Sequence, residues 1–132
     1  MNNNANIFNQ KYVKNNHIRA VKLLEKHQSS LLEEVSSRLV ERIYDFKRTY
    51  HNTLEIGSRG NILAKRLANS KVINNYYTTA LDSVAIPQNS KGIVCSPENI
   101  PIKLPHFDLI ISLLSLHSLN NLKKTLINIK NI

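Results

Sequence analysis

Gly57 and Gly60 have the type and spacing that could open a ligand crevice. They sit in residues 51–67, HNTLEIGSRGNILAKRL. Thr53, Leu54 and Ile56 suit a strand, and Leu63, Ala64, Leu67 and Ala68 follow the glycines at helical spacing. A strand that passes through a glycine turn into a helix is how parallel α/β sheets open a cofactor crevice at the carboxyl ends of their strands. Glycine suits such a turn because it tolerates positive φ and lets backbone come close to a ligand. An ordinary strand-to-helix turn would have the same residues, so this pattern alone does not fix a chemistry.

Other reactive side chains form weaker patterns. His117 and Asn120 follow an apolar run, where a histidine is more often a packing or surface residue than a base. Tyr76 and Tyr77 could stack on a base or simply pack. Ser115 lacks the G-x-S-x-G setting of a hydrolase nucleophile. The five histidines and Cys95 show no metal-ligand spacing, so no metal is expected. No side chain is assigned a catalytic role.

The elements that must position these residues fit one domain. The 132 residues are enough for a single buried core. Eighteen basic against nine acidic side chains give a net charge of +9. The basic residues are scattered, with no block beyond Lys123-Lys124, so no specific nucleic-acid partner is expected. A single cysteine excludes an intrachain disulfide and fits a reducing compartment. The polar start, MNNNANIFNQ, lacks the apolar core of a signal peptide, and polar residues break the run at 107–119. The expectation is a cytoplasmic protein without a membrane span.

Residues 1–15 are expected to be flexible, 16–48 to form N-terminal helices, and 51–132 a partial α/β core. A first helix is predicted over 16–27. Ser30 and Glu33 form an S-x-x-E capping box before a second helix. Its apolar face is Leu31, Val35, Leu39, Ile43 and Phe46, with Glu34 and Arg38 paired four apart. After the glycine turn, strands are predicted over 71–75, 92–95 and 107–112, with a helical turn over 79–84. Pro97, Pro101 and Pro105 mark an irregular connection. A last helix over 121–132 carries Leu122, Leu126 and Ile129. Alternating strands and helices imply parallel pairing, in the order 3-2-1-4. The fourth strand, the most apolar, would then be an edge that needs cover.

These residues also resemble a known family. LEIG at 54–57, FDLIIS at 107–112 and SLLSLH at 112–117 are similar to class I S-adenosylmethionine-dependent methyltransferases. Within that family the chain resembles the branch of the biotin-pathway malonyl-carrier methyltransferases and the related complex I assembly factor. IFNQ at 7–10, HIRA at 17–20, LLEEVSSRLVERI at 31–43 and SLHSLNNL at 115–122 carry that closer likeness. The likeness reaches only the N-terminal half of the family domain. It implies a truncated, Rossmann-like sheet of about four strands, with S-adenosylmethionine as the cofactor.

The resemblance further implies cofactor contacts at Glu55, Gly57, Ser58, Gly60, Asn75, Ser96 and Ser112. The family turn is acidic-x-G-x-G-x-G. Glu55 and Gly57 match it, but Arg59 and Asn61 replace the later glycines, and Arg59 puts a cation where a cationic ligand would lie. Asn75 matches the acidic residue that holds the ribose hydroxyls at the end of the second strand. Ser96, with Glu98 nearby, matches the one that receives the adenine amino group. Loss of a hydrogen bond to a charged acceptor costs about 1.5–3 kcal/mol, so two such losses weaken binding by roughly two to four powers of ten. The expectation is a methyltransferase-like protein with weak or lost cofactor binding and little independent activity. The alternative is a non-catalytic binding or assembly module, with a protein partner or a second copy on the fourth-strand edge.

Overall fold

A computed structural model describes residues 6–27, 29–88, 90–102 and 106–132. The element order is α1 (Gln10–Lys26), α2 (Ser30–Asp45), β1 (Tyr50–Glu55), α3 (Ile62–Leu67), β2 (Ile73–Ala80), a 3-10 turn (Ser83–Ala85), β3 (Lys91–Val94), β4 (Leu109–Ile111) and α4 (Leu122–Lys130). The four strands form one sheet in the order β3-β2-β1-β4, and every pairing is parallel. This is the predicted α/β, Rossmann-like architecture. Leu54 pairs with Tyr77 on one side and with Ile110 on the other.

β1 is one of the two inner strands, and both faces of the sheet around it are covered. Leu54 and Ile56 point into a cluster with Ile110, Phe107, Ile129 and Ile132. Ile111 packs on the opposite face with Leu32, Ile43, Tyr50, Leu63 and Leu67. Consecutive apolar residues are what a strand buried on both faces needs. Asp108 fixes the register of β4 against β1. Its carboxylate accepts from the amides of His51 (2.8 Å) and Asn52 (2.9 Å), while its own amide donates to the Asn52 carbonyl (3.1 Å).

Several predicted boundaries move. α1 begins at Gln10 rather than at residue 16, because the Asn9 side chain caps the Lys11 amide. Upstream, Asn120 grips Phe8 by two hydrogen bonds, of 2.8 and 3.1 Å, so residues 8–15 are tied into the fold; residues 1–5 lie outside the described residues. The α2 cap is Ser29, not Ser30, and Glu33 pairs with Arg66 instead of closing a capping box. The predicted α2 face holds at Val35, Leu39 and Ile43, which pack on the core, and fails at its ends. Leu32, Ser36 and Ile43 are buried, whereas Leu31 and Phe46 are 63% and 70% exposed. The Glu34–Arg38 pair forms as predicted, at 2.7 Å.

β2 is the largest departure. It runs to Ala80, five residues past the predicted end, and takes in Thr79 and Ala80, which were expected to be helical. Tyr76, Tyr77, Thr78 and Thr79 are strong strand formers, and Thr78, Thr79 and Ala80 are fully buried between β1 and β3. Pro97 and Pro101 lie in the irregular connection, and Pro105 falls outside the described residues. β4 is shorter than expected, with three residues.

Candidate functional site

The carboxyl ends of β1, β2 and β4 meet at the glycine turn. Gly57 and Gly60 both have positive φ, 70° and 81°, which accounts for glycine at each. The turn's amides are committed to neighbouring strands and loops. Ile56 donates to the Ile111 carbonyl (2.8 Å), Gly57 to Thr79 Oγ1 (3.2 Å), Ser58 to the Thr79 carbonyl (2.7 Å) and Gly60 to the Ala85 carbonyl (3.1 Å). Ser58 is buried and its hydroxyl donates to the Gly60 carbonyl, which closes the turn on itself.

The space that Gly57 leaves open is filled by the protein. A Cβ at residue 57 would lie 2.5 Å from both Cβ and Oγ of Ser115. The Ser115 hydroxyl donates to the Ile56 carbonyl (2.8 Å) and lies 2.6 Å from the Ser112 hydroxyl. Ser112 is therefore engaged at the end of β4, where sequence placed it. Arg59 reaches over the same turn, and its Nη2 donates to the carbonyl of Leu114 (2.6 Å), a residue with a left-handed φ of 49°.

Glu55 points away from this crevice into the core. It is 1% exposed and accepts a 2.5 Å hydrogen bond from the Tyr76 hydroxyl. Burial pushes its carboxyl up to about 7, against the opposing pull of the Tyr76 hydrogen bond and the nearby Ser58 hydroxyl. Burial, with the Glu55 charge beside it, also holds the Tyr76 phenol well above its ordinary range. Tyr76 and Tyr77 are thus packing residues here. Tyr77 meets Phe107 edge-on, with ring centroids 5.5 Å apart.

Asn75 does not stand at the end of its strand. It is the third residue of β2, about 16 Å from the carboxyl end at ~3.3 Å per residue. Its amide donates to the His51 carbonyl and the Asn52 side chain, both at 3.1 Å. The acidic residue that follows β2 is Asp82. A longer strand reading of the alternating Tyr-Tyr-Thr-Thr segment would have found it. Asp82 is already engaged: its carboxylate caps the Val84 amide (3.0 Å) and pairs with Lys14 (3.6 Å). Ser96 lies two residues beyond β3, where its hydroxyl accepts from the Glu98 amide (3.2 Å). Glu98 in turn accepts from the Asn121 amide (2.7 Å) ahead of α4.

Between the turn and α1 lies a cavity of about 380 Å³. Phe8, Val13, His17, Leu81 and Pro97 contribute to its wall, with Gly57, Arg59, Ser115 and His117. His117 therefore stands beside the glycine turn. No aspartate or glutamate lines this cavity. His17 Nε2–H donates to the Ser58 carbonyl (3.1 Å), which fixes its tautomer. Burial, followed by the Arg59 charge, lowers the His17 imidazole and keeps it neutral, against the opposing pull of that hydrogen bond and of Asp82.

S-adenosylmethionine needs open amides, an accessible carboxylate for its ribose and no cation beside its sulfonium. Here the amides of Ile56, Gly57, Ser58 and Gly60 are used, Ser115 fills the glycine space, Asp82 already accepts from the Val84 amide and pairs with Lys14, and Arg59 supplies a cation. These residues do not fit S-adenosylmethionine. Among the described residues no three His, Cys, Asp or Glu side chains gather as metal ligands would, and no helix is long and apolar enough to cross a membrane.

No family model matches the chain, and no solved structure matches it. Among curated proteins, it is 31% identical over 102 residues to the human protein named Arginine-hydroxylase NDUFAF5, mitochondrial. That match covers 73% of this chain and 29% of the human protein. The zebrafish protein of the same name is 28% identical over 124 residues, which is 89% of this chain and 38% of the relative. The rat protein is 30% identical over 102 residues, again 73% of this chain and 29% of the relative. The chain thus spans about a third of the length of these relatives. Their names place them in mitochondria, so they lend no support to a cytoplasmic location. What the chain has in common with them is a sequence likeness over most of its own length.

Proposed function

We propose that this chain is a methyltransferase-like domain that binds S-adenosylmethionine weakly or not at all and has no methyl transfer of its own. The observation that carries the reading is the closure of the Gly57 turn by Ser115 and Arg59. Methyl transfer requires a donor held in line with its acceptor; Ser115 takes up the space against Gly57 and Arg59 brings a cation to the turn, which disfavours a sulfonium there. Isothermal titration with S-adenosylmethionine tests this. The expected result is silence up to millimolar ligand. Saturating heat at micromolar ligand would overturn it.

The relatives' printed name supports a second chemistry for the whole protein, hydroxylation of an arginine side chain. Mass spectrometry of arginine-containing proteins incubated with the chain separates the two, since a gain of oxygen and a gain of a methyl group differ in mass. A third reading, a non-catalytic binding module, rests on β4, which among the described residues pairs only with β1. Light scattering that gives a clean monomer at high concentration would count against self-association at that edge.

A further inference from the structure

We propose that the cavity between α1 and the glycine turn is an anion site, and that it takes a small molecule through a carboxylate or phosphate group. The proposal rests on the reading that this crevice does not fit a sulfonium cation. Three observations support it. The cavity wall carries Arg59 and His117, beside a His17 whose Nε2–H is already used, and no acidic side chain among the described residues. Arg59 Nε is buried and finds no acceptor among the described residues, although Nη2 is satisfied by Leu114. The nearest acid of the neighbouring strand end, Asp82, is held by the Val84 amide and Lys14 and does not pair with Arg59.

A guanidinium stays charged at any physiological pH, and a buried donor without an acceptor is unfavourable. A ligand oxyanion would supply that acceptor and meet the planar donor fork of Arg59. The cavity volume of about 380 Å³ is in the range of small-molecule pockets. The larger cavity that Arg59 also lines, about 500 Å³, carries Glu25 and Glu33 as well as Lys65 and Arg66, and there Arg66 is already paired with Glu33.

The test is a nuclear magnetic resonance titration of the full chain with acetate and with inorganic phosphate, at constant ionic strength set by chloride. The expected result is a saturable shift of the Arg59 Nε–H and Gly57 amide signals with at least one of the two anions. The anion that saturates identifies the oxyanion. In Arg59→Gln the Gly57 half-saturation point should rise at least about tenfold. Linear, unsaturated shifts with both anions would overturn the proposal, as would equal Gly57 saturation in Arg59→Gln. If that variant does not fold, the Arg59 signal of the natural chain decides alone. Failure here with S-adenosylmethionine still silent would sink the anion site only. Micromolar binding of S-adenosylmethionine would instead sink the reading beneath it.

Discussion

Tyr76 donates its hydroxyl to Glu55 across neighbouring parallel strands, at 2.5 Å, in a part of the core that water does not reach. The pair explains how a carboxyl can be accommodated on the most buried strand of the sheet. It also makes stability depend on pH. The Glu55 carboxyl moves from about 4.5 to about 7 on folding. The folded chain therefore holds its proton through a window in which the unfolded chain has released it. The stability this group contributes is complete below about pH 4.5 and falls by about 3 kcal/mol as pH rises to 7. Urea unfolding of the natural chain and of Glu55→Gln at pH 5 and pH 8 checks this. The variant should lose most of the pH dependence and be the more stable of the two at pH 8. Equal slopes would contradict it.

Gly57→Ala should destabilise the fold strongly. The new Cβ would meet Ser115 at 2.5 Å and hold a φ of 70° that alanine rarely adopts. Left-handed backbone costs about 1–2 kcal/mol, and overpacking about 1–3 kcal/mol more. Adding Ser115→Gly should restore the second part and leave the first. Thermal melts of the single and double variants measure both. No recovery in the double variant would show that the contact is not the cause.

Leu54→Ala and Leu31→Ala should differ sharply, although both residues sit in apolar patterns. Leu54 is 1% exposed and Leu31 is 63% exposed. The first should cost about 2–5 kcal/mol, the second less than about 0.5 kcal/mol. Comparable losses in urea midpoints would mean that α2 is rotated relative to the arrangement described here.

Asn120→Ala should release the segment before α1. Its side chain makes both hydrogen bonds to the Phe8 backbone. Hydrogen exchange at the Phe8 amide should accelerate by at least about tenfold, and stability should fall by about 1–2 kcal/mol. Unchanged exchange at Phe8 would show that other contacts hold the segment.

Apolar periodicity and the two glycines were enough to derive the parallel sheet, its order and the helix that follows the turn. Those features depend on which residues must leave water and on where φ must be positive, and both are local properties of residue type. The depth of β2 was not legible. Its last residues, Thr78 and Thr79, are polar, and only their position between β1 and β3 makes them core. Misjudging that strand also misplaced its acidic end by seven positions, from Asp82 to Asn75.

The candidate site divides in the same way. Turn chemistry put Gly57 and Gly60 at the end of a strand, because it is written in neighbouring residues, and the family resemblance added Ser96, Ser112 and His117. Only the tertiary structure decided what each does there. Glu55 turns inward to Tyr76, Ser115 fills the space of Gly57, and Arg59 spans to the Leu114 carbonyl. Those contacts join residues 21 to 58 positions apart, and no local pattern encodes which side chain will occupy a cavity that the folded chain alone creates.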